Sequence, residues 1–212
     1  MVERFDRERQ GDKLRRLHQE DLLSAMGYDP WLKYERPNPR HTVPTGGFAD
    51  PNRVSANPGP SLRAMAAFLT QHMGRVQVPT FLRAVTFNVA FGNADSHARN
   101  YSVLLPPDGQ VRLTPLYDLI CTCFYPDLET DFAQRVNTKW DLGQIEVADL
   151  VAEAATWDLP MGPARRSIIR LLEQLAAEIG PTIDTCVTRG GDPAAAVAAA
   201  DLIASRVRRL LS

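Results

Sequence analysis

The sequence has little of what marks a disulfide-bonded, zinc-binding or membrane protein. Only three cysteines stand in 212 residues: Cys121 and Cys123, two apart, and Cys186 far from both. An odd number with one such close pair argues against a disulfide framework and for a reducing compartment, so the expected location is cytoplasmic. The four histidines (His18, His41, His72, His97) show no zinc-ligand spacing with one another or with the cysteines. No apolar run approaches the ~20 residues of a membrane span, and the charged opening MVERFDR has no apolar leader segment. No membrane association is expected. An excess of charge is also lacking: 24 Lys and Arg against 25 Asp and Glu give a formal net charge of −1. Without a basic field, direct nucleic-acid binding is not expected. Neither a G-x-S-x-G elbow nor a Cys-His arrangement for acyl transfer occurs.

What remains is an ordinary globular composition, 44% hydrophobic and 23% charged, long enough for a sizeable core. Residues 2–7 alternate apolar and charged as a half-buried strand does, with no earlier strand to pair with. Gly11-Asp12 signals a turn, and a short segment follows at 14–17. His18-Gln19-Glu20-Asp21 opens a helical stretch in which Leu22, Leu23 and Met26 share a face and Gly27 fits a C-cap. Residues 37–60 hold six of the 16 prolines and read as a long Pro-rich loop. Residues 61–73 predict a helix capped by Ser61, with Leu62, Met65, Phe68 and Leu69 on one stripe. Residues 79–91 predict a second helix, apolar nearly all round and therefore buried on most sides. A hairpin follows: strands at 101–105 and 111–113 flank Pro106-Pro107-Asp108-Gly109. Cys121 and Cys123 read as small core residues on an extended segment. Helices are expected at 147–156, 164–179 and 194–211.

The informative segment lies between the buried helix and the hairpin: Asn93-Ala94-Asp95-Ser96-His97-Ala98-Arg99-Asn100. Asp95 and Asn100 are five apart. A second acid, Asp118, follows the hairpin in Thr114-Pro115-Leu116-Tyr117-Asp118. An Asp, an Asn five later, a hairpin and a further Asp is the order of a kinase catalytic loop and its metal-binding element. Phosphoryl transfer needs a group that orients the attacking hydroxyl and hard oxygen ligands for the metal on the phosphates. The hairpin returns the chain so that Asp118 can face Asn100. His97 is expected to hold the loop through its ring nitrogens more than to transfer a proton.

These residues resemble the HipA-like serine/threonine kinases, the toxin kinases of bacterial toxin–antitoxin modules. Gly92 to Ser102 resembles the catalytic loop, and Leu113-Thr114-Pro115-Leu116-Tyr117-Asp118 the metal-binding element. Val2 to Arg7 resembles the segment joining the kinase lobes. Leu17-His18-Gln19-Glu20-Asp21 and Lys33-Tyr34-Glu35 resemble two further signatures. The Asp-x-His-x-x-Asn pattern is also similar to the loop of phosphoinositide-type lipid kinases, but the surrounding signatures favour the HipA-like resemblance. It implies a mainly helical, protein-kinase-like C-terminal lobe with a small β-hairpin, one domain over residues 1–212. It implies that Asp95 is the catalytic base, with His97 and Asn100 in the same catalytic loop, and that Asn100 and Asp118 bind Mg2+. Glu3, Phe5, Gln19 and Tyr117 would meet ATP. The implied partner is a small helix-turn-helix antitoxin, and the implied acceptor a protein, in some relatives an aminoacyl-tRNA synthetase. Arg99 stands where the family usually has Lys. The N-terminal lobe, with its phosphate-covering loop and lysine, is absent from these residues, and Gly46-Gly47 does not supply that loop. Two readings follow: a catalytic lobe completed by a separate N-lobe polypeptide, or an inactive remnant that binds the antitoxin.

Overall fold

The structure, a computed structural model, describes residues 4–36, 58–107 and 109–212. Glu3 and most of the Pro-rich loop at 37–60 lie outside the described residues. The order is β1 (Arg7–Gln10), β2 (Lys13–Arg16), β3 (His18–Asp21), α1 (Leu22–Ala25), α2 (Leu62–Met73), α3 (Val78–Phe91), β4 (Ser102–Leu105), β5 (Arg112–Leu113), β6 (Asp131–Val136), β7 (Lys139–Asp141), α4 (Val147–Ala155), α5 (Met161–Thr188) and α6 (Pro193–Leu211). Roughly half the chain is helical. The expected single hairpin is one part of three small antiparallel sheets among the described residues: β1-β2, β3-β4-β5 and β6-β7.

Several expectations change. Of the strand expected at 2–7, residues 2 and 3 lie outside the described residues; residues 5–6 turn, and a strand beginning at Arg7 pairs with β2 across Gly11, which has a φ of +60°. It therefore has a partner within the chain. His18 to Asp21 is not the start of a helix but a strand whose Gln19 pairs with Leu104 of β4. The helix begins only after Asp21, whose carboxylate accepts the Ser24 N–H as an N-cap. Residues 122–124 form a tight 3-10 turn rather than an extended run, closed by the Phe124 and Tyr125 N–H groups on the Cys121 and Thr122 carbonyls, while Cys123 N–H ties it to the Gly92 carbonyl. Cys121 is buried there, and Cys123 packs against the core. β6 and β7, joined through Asn137 at a φ of +56°, had no sequence expectation.

The helical reading holds where apolar stripes carry it. Ser61 caps α2 by accepting the Ala64 N–H, and Leu62, Met65 and Leu69 are buried, with Phe68 half-buried beside them. In α3, Phe81, Leu82, Val85 and Val89 are buried, and Gly92 ends the helix in the left-handed region at a φ of +80°. α5 runs past the expected end at residue 179, through Gly180 and Pro181. The proline there removes one donor from a turn largely open to water, so the helix is not forced to stop. α5 packs against α3, α4 and α6, and the core draws on all of them together with Phe132 and Val136 of β6. Among the described residues no helix is long and apolar enough to cross a membrane.

Candidate active site

α3, β4, the turn at 122–124 and β6 converge on one loop, residues 92–100. The loop leaves α3 at Gly92, where a Cβ would meet Cys123 Cβ at 3.3 Å and Arg206 Nε at 3.1 Å. Asn93 is buried and donates from Nδ2 to Asn88 Oδ1 at 2.9 Å, tying the loop back to the helix. Thr122 grips the next peptide on both sides: its hydroxyl accepts from Ala94 N at 2.7 Å and donates to the Gly92 carbonyl at 3.0 Å. Ala133 of β6 donates to the Ala94 carbonyl at 3.0 Å. Ser96 and Tyr101 share a buried hydroxyl pair at 2.7 Å, and burial pushes the Tyr101 phenol up to about 12. Short, irregular backbone is thus fixed by paired polar groups rather than by a regular ladder.

Three functional candidates meet on this frame. Asp95 is exposed at the surface of the loop. Asn100, buried at the end of a 3-10 turn, donates from Nδ2 to the Asp95 carbonyl at 3.2 Å and to Asp118 Oδ2 at 3.4 Å. The hairpin thus brings Asp118 to Asn100. Asp118 holds a φ of +55°, in the left-handed region that Asp enters more readily than most residues. Its predecessor is anchored: the Tyr117 hydroxyl donates to the Arg99 carbonyl and shares a short hydrogen bond with the Ser102 hydroxyl. Burial raises the Tyr117 phenol.

His97 is 7% exposed, and its Nδ1 has no hydrogen-bond partner among the described residues. Nδ1 therefore does not brace the loop as expected; the ring instead packs edge-on against Tyr34, centroids 5.4 Å apart. Burial, assisted by the nearby Lys33 ammonium, pushes its pKa down to about 4, so the imidazole is neutral at pH 7.

Two clefts flank Asp118. The first, of about 370 Å³, is lined by Gln19, Asp21, His97, Arg99, Asn100, Ser102, Tyr117 and Asp118. Gln19 and Tyr117 are thus brought together with Asn100 and Asp118. Phe5 is not in its lining but lies beside it, its ring 6.4 Å from that of Tyr117. Arg99 lies 3.9 Å from the Asp21 carboxylate at its rim. The second cleft, of about 460 Å³, carries Lys33, Tyr34, Asp95, Asp127, Leu128 and Glu129, and also Ile120 and Asp131. Asp95 opens into this one, and Asp118 borders both. Sequence reasoning assigned no role to Tyr34, Asn93, Thr122 or the acidic residues 127–131. For Tyr34 a signal existed, the Lys33-Tyr34-Glu35 signature; for Thr122 none did, because its partners are 28 and 30 residues away.

With this geometry in hand, the comparisons with known proteins are decisive for the family. The profile described as the HipA-like C-terminal domain matches residues 1–182. The chain belongs to this family. A Sinorhizobium fredii protein named as a kinase, Y4mE, is 31% identical over 98% of the chain and 45% of its own length. The serine/threonine-protein kinase toxin HipA of Shewanella oneidensis is 31% identical over 86% of the chain and 40% of its own length. The solved structure of HipA from that organism, in complex with HipB and its operator DNA, superposes with a TM-score of 0.76 at 26% identity, covering 99% of this chain and 48% of that one. The chain spans less than half the length of these relatives.

Proposed function

We propose that this chain is the catalytic, C-terminal lobe of a HipA-like serine/threonine protein kinase, the toxin component of a toxin–antitoxin module. The observation that carries the reading is the meeting of Asp95, Asn100 and Asp118 at one loop, with an open cleft on either side of Asp118. The first cleft takes ATP, with Gln19 and Tyr117 in its wall and Phe5 beside it. The second takes the protein acceptor. Asp95 orients the acceptor hydroxyl and receives its proton. The acceptor oxygen bonds to the γ-phosphorus as the bridging bond to ADP breaks, and ADP leaves with the electron pair.

A magnesium ion suits the residues present. Asp118 and Asn100 offer hard oxygen donors, and no group of three or more His, Cys, Asp or Glu capable of holding a metal occurs among the described residues. Magnesium typically takes one or two protein ligands and completes its shell with water and phosphate oxygens. Asn100 now turns its amide nitrogen toward Asp118, so holding the ion requires the amide oxygen in that place. Bound there, the ion would neutralise phosphate charge. Neutral His97 at the wall of the same cleft adds no charge to compete with it.

The antitoxin partner is proposed from the HipB-bound relative. The reading is tested with Mg-ATP labelled at the γ-phosphate, on the chain supplied with a HipA-like N-lobe polypeptide. Asp95→Ala is expected to lower phosphoryl transfer by about 1,000-fold or more while leaving nucleotide binding by calorimetry intact. Equal transfer by Asp95→Ala and the unmodified chain would sink it, and antitoxin binding without any transfer would favour the non-catalytic reading.

A further inference from the structure

Residues 33–35 run beside the catalytic loop without belonging to a helix or strand, yet their backbone is held from both sides. Ala98 N donates to the Lys33 carbonyl at 3.1 Å, and Gln134 Nε2 reaches the same oxygen at 3.3 Å. Glu35 N donates to the Ala133 carbonyl at 3.1 Å, and Ala133 N to the Ala94 carbonyl at 3.0 Å. Gly59 N donates to the Tyr34 carbonyl at 3.2 Å, where a Cβ on Gly59 would stand 2.2 Å from that oxygen. This close approach requires glycine.

The Tyr34 side chain is fixed as firmly as its backbone. Its ring meets His97 edge-on at 5.4 Å and 83°, and Lys33 Nζ lies 4.9 Å from the ring centroid. Its hydroxyl ends 2.6 Å from Asp95 Oδ1. Burial first, and then the Asp95 carboxylate, raise the phenol, so it stays protonated and donates. Asp95 Oδ2 accepts no hydrogen bond from the described residues. An unrestrained carboxylate turns broadly about its terminal torsion. A short hydrogen bond to a charged acceptor removes that freedom.

We propose that Tyr34 is a positioning residue for Asp95: its hydroxyl locks Oδ1 and leaves Oδ2 turned to the hydroxyl of a serine or threonine acceptor. The proposal rests on the kinase reading above, and it explains why Tyr34 and Asp95 line the same cleft. Tyr34 touches neither nucleotide nor phosphate; it acts through Asp95.

The experiment compares the full chain, supplied with the N-lobe polypeptide that completes it, with its Tyr34→Phe variant, which keeps the ring and its packing on His97. Transfer from γ-labelled Mg-ATP is read on myelin basic protein as a general acceptor, with the one-dimensional proton spectrum recorded on the same samples. The expected result is a kcat lower by about 10- to 100-fold with KM for ATP unchanged. Tyr34→Phe added to Asp95→Ala should cost nothing more. An unmodified kcat in Tyr34→Phe overturns the positioning role, because packing alone survives that change. Independently of activity, the Tyr34 hydroxyl proton should exchange slowly, with its resonance lost in Asp95→Ala. Its absence from the unmodified chain overturns the Tyr34–Asp95 bond. A chain that shows this resonance but transfers no phosphate overturns the kinase reading alone.

Discussion

In the platform of α4, α5 and α6, Leu150, Ile168, Leu172, Val207 and Leu210 interlock as buried apolar stripes. In the loop between α3 and β4, order comes from Asn93, Thr122, Ser96 and Asn100, which satisfy buried peptide and hydroxyl groups pairwise. Non-directional packing tolerates small shifts. Directional hydrogen bonds hold particular donors and acceptors in place and fail when one partner goes. The platform therefore governs whether the chain folds, and the loop governs where Asp95, Asn100 and Asp118 stand. The two meet at Arg206 of α6, whose guanidinium donates to the Val89 carbonyl at 2.7 Å and whose side chain lies against Gly92.

The largest effect outside chemistry should come from breaking the platform. Leu172 is fully buried in α5. Leu172→Ala loses the transfer free energy of its side chain and leaves a cavity, a cost of about 2–5 kcal/mol. Urea unfolding should show the midpoint falling with little change in slope. Nucleotide affinity below the transition should stay the same. A large loss of Mg-ATP affinity at unchanged fold would show the two regions coupled more tightly than this division allows.

The next effect lies in the loop and depends on pH. His97 has a folded pKa near 4 against an ordinary value of 6.5. The unfolded chain therefore binds a proton at a pH where the folded chain does not. Stability is full above about pH 6.5, falls as the pH drops toward 4, and stops falling through this group below that, a total of about 3 kcal/mol. His97→Asn should flatten that part of the stability–pH curve. A slope unchanged by this substitution would show that other groups, not the buried imidazole, set the acid sensitivity.

The comparison also explains what could be read in advance. α2, α3, α4 and α6, and the β4-β5 hairpin, follow from apolar spacing, Ser61 and an Asp-Gly turn, all local signals. The kinase-loop order of Asp95, Asn100 and Asp118 is equally local, and the structure brings the three together. What escaped is non-local. β3 forms because His18 to Asp21 finds β4 more than 80 residues later. β6 carries Phe132-Ala133-Gln134 buried in succession, with no period-2 pattern to betray a strand. The supports of the loop, Thr122 and Tyr34, are 28 and 61 residues from the groups they hold, and nothing in spacing reports such a pair.

The smallest effect tests that point directly. Thr122→Val keeps the shape of the side chain and removes only the hydroxyl. The Ala94 N–H then loses its acceptor in a buried setting, and among the described residues the Gly92 carbonyl keeps only the Cys123 N–H. A buried donor left without a partner costs about 1–3 kcal/mol, so the thermal midpoint should fall by a few degrees. If the loop is set by these bonds, the loss should not be confined to stability. Ala94 precedes Asp95, so Thr122→Val should also lower phosphoryl transfer at temperatures where the chain is fully folded, while Leu172→Ala, the more destabilising change, should not. Reversal of that ranking, with transfer tracking stability alone, would mean that the loop takes its geometry from the packed platform rather than from its own hydrogen bonds.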